Sequence, residues 1–441
     1  MLRLAYYADD FTGATDALES LANSGLRTRL FLRVPTAADC QGLDAIGVAG
    51  LTRSLAPDAM ERELRPAFQS LRELSPRHVH YKVCSTFDSS PNVGNIGRAI
   101  EIGAEVFERG VVPVLVAAPA LGRYCAFGNL FARFGIGSSG AIHRLDRHPS
   151  ISRHPVTPMT EADLRVHLSR QTKLAIGLLD FRALEQDAAS AFVALQESGD
   201  RIILIDGLND GHLVRAGALL DSLPGPTRYI VGSSGVGTAL CSHWAKQGTL
   251  TAPVEYSSAD SGSPLLVVSG SCSVVTAGQI DWAQENGFEV ISVEPEHPDG
   301  PDALAKVCGS LRKGRHVIAC THRAYSGTSA PAERIGAGLG RLARAAIGAT
   351  GACRLVVAGG DTSSYAARAL GIESLEMVAP LVPGAPLCRA HAPGSPVDGL
   401  IVNFKGGQVG APGYFAQAAG GAASNPSQPV QRSTQALRSL H

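Results

Sequence analysis

Two adjacent carboxylates, Asp9 and Asp10, stand near the start of the chain, between an apolar run and a helical pattern. The apolar residues 2–7 predict a buried strand, and Thr12 and Gly13 precede a helical pattern that starts at Ala14. Open α/β folds bind their ligands at the carboxyl ends of the strands, where such a turn lies. The acidic turn is therefore the first candidate for chemistry.

A pair of close carboxylates suits proton transfer from a bound alcohol. The two groups disfavour ionising together, so one of them is expected to have a raised pKa, which suits a general base. We assign Asp10 as the base and expect Asp9 to orient the hydroxyl or a magnesium ion, with Thr12 as a further substrate-binding residue. The alternative is structural, because aspartate is a preferred N-cap residue and its neighbour would then face solvent.

Cationic and hydroxyl side chains follow two more apolar runs of the N-terminal half. The segment YKVCSTFDSS carries Lys82, Ser85 and Thr86, and the segment VAAPALGRY carries Arg123. A lysine and an arginine at these positions can neutralise the carboxylate of a small acid, while hydroxyl groups bind its alcohols. The alternative is that Lys82 and Arg123 are ordinary surface charges.

Three glycine-rich loops lie in the C-terminal half, and the first two each follow an apolar run and precede a helical pattern. Glycine lets the backbone approach phosphate oxygens, and free N–H groups and hydroxyls at a helix start supply donors. A single loop of this kind is usually only a turn, but three in one domain predict a polyphosphate site. The expected ligands are Gly270, Ser271 and Ser273 in the first loop, Gly359, Gly360, Asp361, Thr362 and Ser363 in the second, and Lys405, Gly406 and Gly407 in the third.

Other phosphate motifs do not fit this sequence. The segment GSSGVGT at 232–238 has the glycine spacing of a P-loop but lacks its lysine. No GxGxxG follows a strand with an acidic residue about 20 positions later, which argues against dinucleotide binding and a reductase. Phe11 stands where the second aspartate of a phosphatase nucleophile motif would lie, so an aspartyl-phosphate intermediate is disfavoured.

Composition narrows the class of partner. Acidic and basic residues balance at 39 each in 441 residues, so no basic field is present for nucleic acid or an anionic membrane, and a small molecule is the expected partner. No signal-peptide pattern and no apolar stretch near the roughly 20 residues of a membrane span are found, so a cytoplasmic protein is expected. Nine cysteines scattered without a CxxC pair indicate free thiols, with no zinc site.

Apolar runs alternate with helical patterns along the chain. The runs lie at residues 2–7, 45–49, 111–117, 174–179, 201–205, 229–231, 265–268, 290–293, 316–319 and 355–358. This alternation predicts an α/β fold: two three-layer α/β domains with mainly parallel sheets and an interdomain cleft. The predicted divisions are an N-terminal domain at 1–246, a linker at 247–264, a C-terminal domain at 265–417 and a flexible tail at 418–441.

Six segments together resemble the four-carbon acid sugar kinase family, which includes the 3-oxo-tetronate, threonate and erythronate kinases and was formerly a domain of unknown function. The segments are ADDFTGATD from Ala8, HPVTPMTEADL from His154, VVSGSCSVVTAGQI from Val267, GGDTSSYAARALGI from Gly359, VPGAPLCR from Val382 and FKGGQVG from Phe404. They span nearly the whole chain up to the predicted tail, in the order of the family.

The resemblance implies an ATP-dependent kinase whose N-terminal domain binds a sugar acid and whose C-terminal domain binds ATP with Mg²⁺. The γ-phosphoryl group would pass to a terminal hydroxyl across the cleft. For ATP the resemblance implies Ser271, the loop 360–363 and Gly406, and Gly384 of VPGAPLCR is expected in the same site. For the acid it implies Asp9, Asp10, Lys82, Ser85, Thr86 and Arg123.

One segment departs from the family pattern. The family commonly has an aspartate where this chain has Cys84, and an arginine-glycine pair that is missing from KVCSTFDSSPNVGNIG. The alternative is therefore a non-catalytic ligand-binding or effector protein that retains the kinase fold. The presence of both aspartates of the acidic turn and of all three glycine loops favours the kinase. A homo-oligomer is left open.

Overall fold

Strands from both halves of the chain join in one sheet. The computed structural model describes residues 2–134, 140–154, 156–250, 256, 264–321, 330–352 and 354–420. The strands are β1 (Leu4–Ala8), β2 (Thr28–Phe31), β3 (Ala45–Ala49), β4 (His78–Lys82), β5 (Val112–Leu115), β6 (Arg123–Ala126), β7 (Asn129–Arg133), β8 (Ile142–Arg144), β9 (Ile176–Leu179), β10 (Ile202–Ile205), β11 (Arg228–Gly232), β12 (Leu265–Ser269), β13 (Glu289–Ser292), β14 (Val317–Cys320), β15 (Arg354–Ala358), β16 (Ser374–Val382), β17 (Ala385–His391) and β18 (Ile401–Lys405).

Helices connect most of these strands. They are α1 (Phe11–Asn23), α2 (Pro57–Glu73), α3 (Ile96–Val106), α4 (Leu164–Ser169), α5 (Phe181–Glu197), α6 (Asp210–Ser222), α7 (Gly235–Lys246), α8 (Val274–Glu285), α9 (Pro301–Arg312), α10 (Ala332–Thr350), α11 (Gly360–Ala369) and α12 (Tyr414–Gly420). Every residue of β1, β3, β12 and β15 is buried, because strands of a parallel sheet are covered on both faces.

The main sheet has a parallel block at each end. The N-terminal block is β2-β3-β1-β4-β11-β5-β10-β9, and the C-terminal block is β13-β14-β12-β15-β18. The antiparallel hairpin of β16 and β17 lies between the blocks, and β16 pairs with β2, with Ser374 opposite Phe31. One sheet of 15 strands therefore runs through both halves. A separate antiparallel sheet contains β6, β7 and β8.

Helix α1 lies at the junction of the two halves. The ring of Phe11 contacts the ring of Phe404, with centroids 4.7 Å apart. The backbone N–H of Gly384, in the turn between β16 and β17, donates a hydrogen bond to Glu19 Oε2 at 2.6 Å. The helix that begins at the acidic turn is thus fixed against β18 and the central hairpin.

The predicted mainly parallel α/β fold is confirmed, and each of the ten predicted strands is present with ends within two residues of the prediction. Strands β2, β4 and β18, the central hairpin and the small sheet were not among the ten. Residues 251–255 and 257–263 of the predicted linker, and 421–441 of the predicted tail, lie outside the described residues. Helix α12 runs to Gly420 with Ala418 buried, so ordered structure extends three residues into the segment predicted as a tail.

The described part of the chain contains no helix that is both long and apolar enough to cross a membrane. Seven of the cysteines within it are free thiols: Cys40, Cys84, Cys125, Cys241, Cys272, Cys308 and Cys388.

Candidate active site

The acidic turn after β1 caps helix α1. Asp10 is the N-cap: its Oδ1 accepts a hydrogen bond from Gly13 N at 2.8 Å, and its Oδ2 accepts one from Thr12 Oγ1 at 2.7 Å. A Cβ at Gly13 would lie 2.4 Å from Asp10 Oδ1 and 2.8 Å from Lys82 Nζ. Glycine therefore lets the carboxylate and the ammonium approach the helix start together. Asp10 is thus an N-cap, as the structural alternative holds, but its neighbour Asp9 is buried and does not face solvent.

Arg53 connects the two aspartates. It lies in a short 3-10 helix, Thr52–Ser54, that follows β3, and β3 is the neighbour of β1. Its Nη2 is 2.9 Å from both Asp9 Oδ1 and Asp10 Oδ1, and its Nε donates to Asp9 Oδ2 at 3.1 Å. Arg53 was not among the predicted site residues. A usable signal was present, since LTRS follows directly after a predicted strand.

Asp9 and Asp10 differ in burial and in the direction of their pKa shifts. The side chain of Asp9 is 3% exposed, whereas that of Asp10 is 20% exposed. Burial raises the pKa of Asp9 against the opposing charge of Arg53. Burial acts on Asp10 as well, but the positive charges of Arg53 and Lys82 outweigh it and lower the pKa of that carboxyl. The raised pKa expected within the pair thus belongs to Asp9, and Asp10 is the ionised, more accessible carboxylate.

Lys82 is a buried member of the same cluster. It is the last residue of β4, opposite Ala8 in the register with β1, and it is 1% exposed. Its Nζ lies 3.6 Å from Asp16 Oδ2 on the second turn of α1. Lysine is rarely buried unless it is paired, so this residue is not an ordinary surface charge.

The loop after β4 adds a thiol and hydroxyls to the cluster. Ser85 and Thr86 are buried, and Thr86 Oγ1 lies 2.9 Å from Cys84 Sγ. Burial and the neighbouring charge of Asp88 raise the pKa of the Cys84 thiol to about 11, although Arg53 opposes them. The thiol is therefore neutral beside the charged groups.

Arg123 reaches this region from the small sheet. It is 5% exposed, and its Nη1 donates to three backbone carbonyls, the nearest at 3.0 Å. Burial lowers the pKa of the guanidinium, while nearby Cys84, Asp88 and Asp16 oppose that shift. The structure therefore brings together the predicted acid-site residues of three loops. Asp16, Arg53, Cys84 and Asp88 were missed.

The three glycine loops meet in the C-terminal half. A Cβ at Gly270 would lie 2.7 Å from Thr362 Oγ1, and a Cβ at Gly359 would lie 2.8 Å from the same atom. A Cβ at Gly407 would lie 3.0 Å from Ser271 Oγ. Gly359 also has a φ of 120°, which residues with side chains rarely adopt. The first loop thus touches the other two.

Ser273 completes the first loop as the N-cap of α8, since its side chain accepts a hydrogen bond from Val275 N. In the second loop, Gly360 begins α11, and a Cβ there would meet nothing within 4 Å. Asp361 is exposed in the first turn of this ten-residue helix, and Ser363 Oγ is buried without a hydrogen-bond partner among the described residues. The helix start presents N–H groups and positive potential to open space, an arrangement that binds anions.

Lys405 is a buried cation at the start of the third loop, before Gly406 and Gly407. Its Nζ donates to Thr276 Oγ1 at 3.0 Å and lies 5.4 Å from the centre of the Tyr414 ring. Burial lowers the pKa of Lys405 to about 7. No carboxylate forms a salt bridge with it within the described ranges, so an anionic ligand would relieve the unfavourable burial of its charge.

Gly384, which was expected in the nucleotide site, lies in a turn at the same end of the sheet as Lys405, because β17 pairs with β18 with Leu387 opposite Asn403. It occupies the hairpin turn between β16 and β17 with a φ of 83°, and a Cβ there would be 3.9 Å from Asp16. Its N–H is bound to Glu19 Oε2. The residue therefore joins the central hairpin to α1 beside the acidic cluster. A glycine in a tight turn and one in a phosphate loop look alike in sequence.

The contact between Phe11 and Phe404 brings the two groups of residues close. Asp10 precedes Phe11 at the start of α1, and Lys405 follows Phe404 at the end of β18. Asp10 and Lys405 are thus the chain neighbours of two rings that touch at the junction of the two halves, with centroids 4.7 Å apart.

Magnesium was predicted as a cofactor. No group of three or more His, Cys, Asp or Glu residues suited to a metal ion occurs within the described residues. Mg²⁺ at phosphoryl-transfer sites usually keeps several waters and takes one or two carboxylates together with the phosphates. The exposed Asp361 beside the loops and the ionised Asp10 fit that mode of binding, which needs no dedicated protein cage.

Family models match both halves of the chain. Residues 4–240 match the sugar-binding N-terminal domain, and residues 266–415 match the nucleotide-binding C-terminal domain. The chain is 40% identical to a 3-oxo-isoapionate kinase of Paraburkholderia graminis, over 94% of this chain and 93% of that protein. It is 31% identical to a 3-oxo-tetronate kinase of Cupriavidus necator, over 94% and 96% of the two chains.

Solved structures share the fold over nearly the whole length. A Salmonella typhimurium protein, provisionally named a tRNA synthase, superposes with a TM-score of 0.77 at 27% identity, covering 95% of this chain and 98% of that one. A Haemophilus influenzae protein superposes with a TM-score of 0.69 at 21% identity, covering 94% and 98%.

Fold and site therefore define a two-domain α/β protein that binds a sugar through its first half and a nucleotide through its second. The chain belongs to the four-carbon acid sugar kinase family. The predicted class, an ATP-dependent kinase of sugar acids, is confirmed, and the non-catalytic alternative is not favoured.

Proposed function

We propose that this protein uses ATP to phosphorylate a terminal hydroxyl of a 3-oxo sugar acid, with 3-oxo-isoapionate as the first candidate substrate. The relative at 40% identity is named for that acid, whereas the 3-oxo-tetronate kinases are 28–31% identical. Phosphoryl transfer between the halves is supported by the contact of the Phe11 ring with the Phe404 ring. In the chain, Asp10 precedes Phe11 and Lys405 follows Phe404.

The charged cluster is the proposed acid site. Lys82 and Arg123 supply buried positive charge for the carboxylate of the substrate. Ser85 and Thr86 are within the same loop and can bind its hydroxyl groups. Arg53 holds the two aspartates at fixed positions, and its charge lets both carboxylates be buried so close together.

Asp10 is the proposed general base. The substrate hydroxyl oxygen attacks the γ-phosphorus of ATP, the bond from that phosphorus to the bridging oxygen breaks, ADP leaves, and Asp10 takes up the hydroxyl proton. A carboxylate with a lowered pKa can do this, because in a largely dissociative transition state the hydroxyl becomes acidic only as its bond to phosphorus forms, and Asp10 accepts the proton at that stage. Asp9 is less exposed. Its role is to hold Arg53 in position, and it does not accept the proton.

The glycine loops are the proposed triphosphate site. Backbone N–H groups at the start of α11 and the hydroxyls of Ser271 and Thr362 face the shared space of the loops. Lys405 would supply the charge that the phosphates require. Magnesium, held by Asp361 or Asp10 with the phosphates, would neutralise charge on the β- and γ-phosphate oxygens.

Two expectations remain predictions: the domain divisions at 1–246 and 265–417, and the cytoplasmic location. Whether the protein forms a homo-oligomer is left open. The matched family domains, 4–240 and 266–415, support the two divisions.

Coupled measurement of ADP formation tests the function. Purified protein with ATP and Mg²⁺ is given 3-oxo-isoapionate, 3-oxo-tetronate or 3-oxobutanoate, the last being a control that lacks hydroxyl groups. We expect ADP formation only with the hydroxylated acids, the highest kcat/KM with 3-oxo-isoapionate, and a product whose phosphorus NMR signal couples to a terminal CH₂. Absence of turnover with both hydroxylated acids would refute the proposal.

A further inference from the structure

Asp88 is a buried carboxylate that the proposed reaction does not yet use. It lies in the loop between β4 and α3 and is 7% exposed. Its Oδ1 is buried and has no hydrogen-bond partner among the described residues. A buried carboxylate oxygen without a partner is unfavourable for folding, and native proteins rarely keep one without a reason.

A buried cation with an unused donor faces the same region. Arg123 is 5% exposed, and its Nε has no hydrogen-bond partner within the described part of the chain. The side chains of Asp88 and Arg123 influence each other electrostatically, with Cys84 nearby, yet they form no salt bridge within 4 Å. Opposite charges that are buried together without pairing keep unmet hydrogen-bonding capacity, which a polar ligand that enters this region would satisfy.

The loop around Asp88 is rigidly held. The N–H of Phe87 donates to the carbonyl of Cys84 at 2.9 Å, and Phe87 is buried with a φ of 57°. On the other side, Ser89 Oγ is 2.8 Å from His167 Nε2 and accepts a hydrogen bond from Gln171 Nε2 at 3.0 Å. Both neighbours of Asp88 are therefore fixed by internal contacts while its own carboxylate oxygen is not. Such an arrangement preorganises the carboxylate for an external donor.

We propose that Asp88 is a specificity-determining residue of the acid site, accepting a hydrogen bond from a non-reacting hydroxyl of the sugar acid, while Arg123 binds an oxygen of its carboxylate or oxo group. This proposal rests on the proposed function and deepens it by naming two side chains that recognise the substrate. A carboxylate accepts hydrogen bonds but donates none, so Asp88 would require a hydroxyl at that position of the substrate.

A metal ion is a weaker explanation for the free carboxylate. The described residues contain no group of three metal-ligating side chains, and Arg123 would repel a cation at this position. A hydroxylated anion satisfies both unpaired groups at once, whereas a cation satisfies only one. The observations therefore favour the sugar acid.

The test compares Asp88→Asn with a matched control, Asp302→Asn, an exposed position on α9 of the other domain. Both proteins are assayed with ATP and 3-oxo-tetronate, and binding of 3-oxo-tetronate and of 3-oxobutanoate is measured by the ligand-induced rise in melting temperature. The two acids share a four-carbon oxo-acid chain and differ in their hydroxyl groups. A second variant, Asp88→Ser, is measured in parallel in case the amide disturbs folding.

We expect Asp88→Asn to raise the KM for 3-oxo-tetronate at least tenfold, with the KM for ATP unchanged and kcat changed less than KM. The preference of the wild type for 3-oxo-tetronate over 3-oxobutanoate should shrink by a similar factor. The melting temperature of the ligand-free variant should be equal to or higher than that of the wild type, because an unpaired buried charge is removed.

A lower melting temperature with unchanged preference between the two acids would show that Asp88 is structural and would overturn the proposal. An unchanged KM in both Asp88 variants would do the same while leaving the kinase function standing. If the wild type neither binds nor phosphorylates 3-oxo-tetronate or 3-oxo-isoapionate, the proposed function itself fails and this inference with it.

Discussion

Nη2 of Arg53 lies 2.9 Å from Oδ1 of Asp10, and the same nitrogen lies 2.9 Å from Oδ1 of Asp9. One guanidinium group thus bridges two adjacent carboxylates at the end of β1, and Lys82 supplies a second positive charge beside them. Without it, two negative charges would be buried a few ångströms apart, which proteins tolerate only when one of them is protonated.

Replacing Arg53 should therefore destabilise the protein in a pH-dependent manner. We expect Arg53→Met to lower the free energy of unfolding by about 3–5 kcal/mol near neutral pH, because both carboxylates lose their partner. The loss should shrink as the pH falls and the aspartates become protonated. Denaturant unfolding at pH 5 and pH 8 measures both effects. Arg62→Met, at an exposed position of α2, is the control and should change little; an equal loss at both pH values would contradict the assigned role.

Substitution of Asp10 should mainly affect turnover, whereas substitution of Asp9 should mainly affect stability. Asp10→Asn preserves an N-cap residue of equal quality and should lower kcat by about 10²- to 10⁴-fold with little change in melting temperature. Asp9→Asn disturbs the bidentate contact with Arg53 and should lower stability more than the Asp10 variant does. Steady-state kinetics and thermal unfolding of both variants check this. Unchanged turnover in Asp10→Asn would remove the base assignment.

Lys405 should matter for nucleotide binding and not for folding. We expect Lys405→Met to raise the KM for ATP by about tenfold or more, since a charge-assisted contact to phosphate is lost. Stability should be unchanged or higher, because a buried ammonium without a carboxylate partner is removed. Lys306→Met, at an exposed position of α9, is the control. A large loss of stability with unchanged KM for ATP would make Lys405 structural.

The same lysine predicts a pH dependence. Its pKa of about 7 in the free protein means that the ammonium loses its proton as the pH rises through neutrality. The affinity of the wild type for ATP should therefore fall between pH 6 and pH 8, and this fall should be absent in Lys405→Met. Calorimetric titration with ATP at several pH values measures it. Parallel pH profiles of the two proteins would exclude Lys405 as the titrating group.

Glu19 should make the stability of the domain junction depend on pH. Burial raises the pKa of its carboxyl to about 8, although the N–H of Gly384 opposes the shift. Between about pH 4.5 and pH 8 the folded state keeps the proton while the unfolded state loses it, so stability falls as the pH rises through this window. The fall should amount to a few kcal/mol, since one pKa unit is about 1.4 kcal/mol.

Glu19→Gln should remove the part of the fall in stability that Glu19 causes. The variant should therefore be more stable than the wild type at pH 8. Melting temperatures across pH 5 to 8 test this, with Glu197→Gln on the exposed surface of α5 as the control. A wild-type-like slope in Glu19→Gln would show that the titrating group lies elsewhere.

Sequence patterns predicted the strands and most of the acidic cluster, because period and burial determine which loops reach the carboxyl edge of a sheet. Asp10 and Lys82 come together for this reason, as β1 and β4 are neighbours. Strand order does not follow from local sequence patterns in the same way. That β3 lies beside β1 and delivers Arg53 depends on long-range pairing, so the position of Arg53 after a predicted strand did not by itself place it with the acidic turn.

The central hairpin shows the same limit. Gly384 lies in the turn of this hairpin, and its N–H binds Glu19 of α1. No local feature of the sequence indicates that an antiparallel hairpin joins the two parallel blocks edge to edge. Convergence of the three glycine loops, by contrast, was predictable from their number and their positions after strands.

A crystal structure with a non-hydrolysable ATP analogue and 3-oxo-tetronate would test the central claim most directly. The account predicts that the triphosphate contacts the loops of Gly270, Gly359 and Gly406, and that the γ-phosphate points towards a substrate hydroxyl within hydrogen-bond distance of Asp10. A nucleotide bound away from these loops, or a sugar acid bound away from the Asp10 cluster, would contradict it.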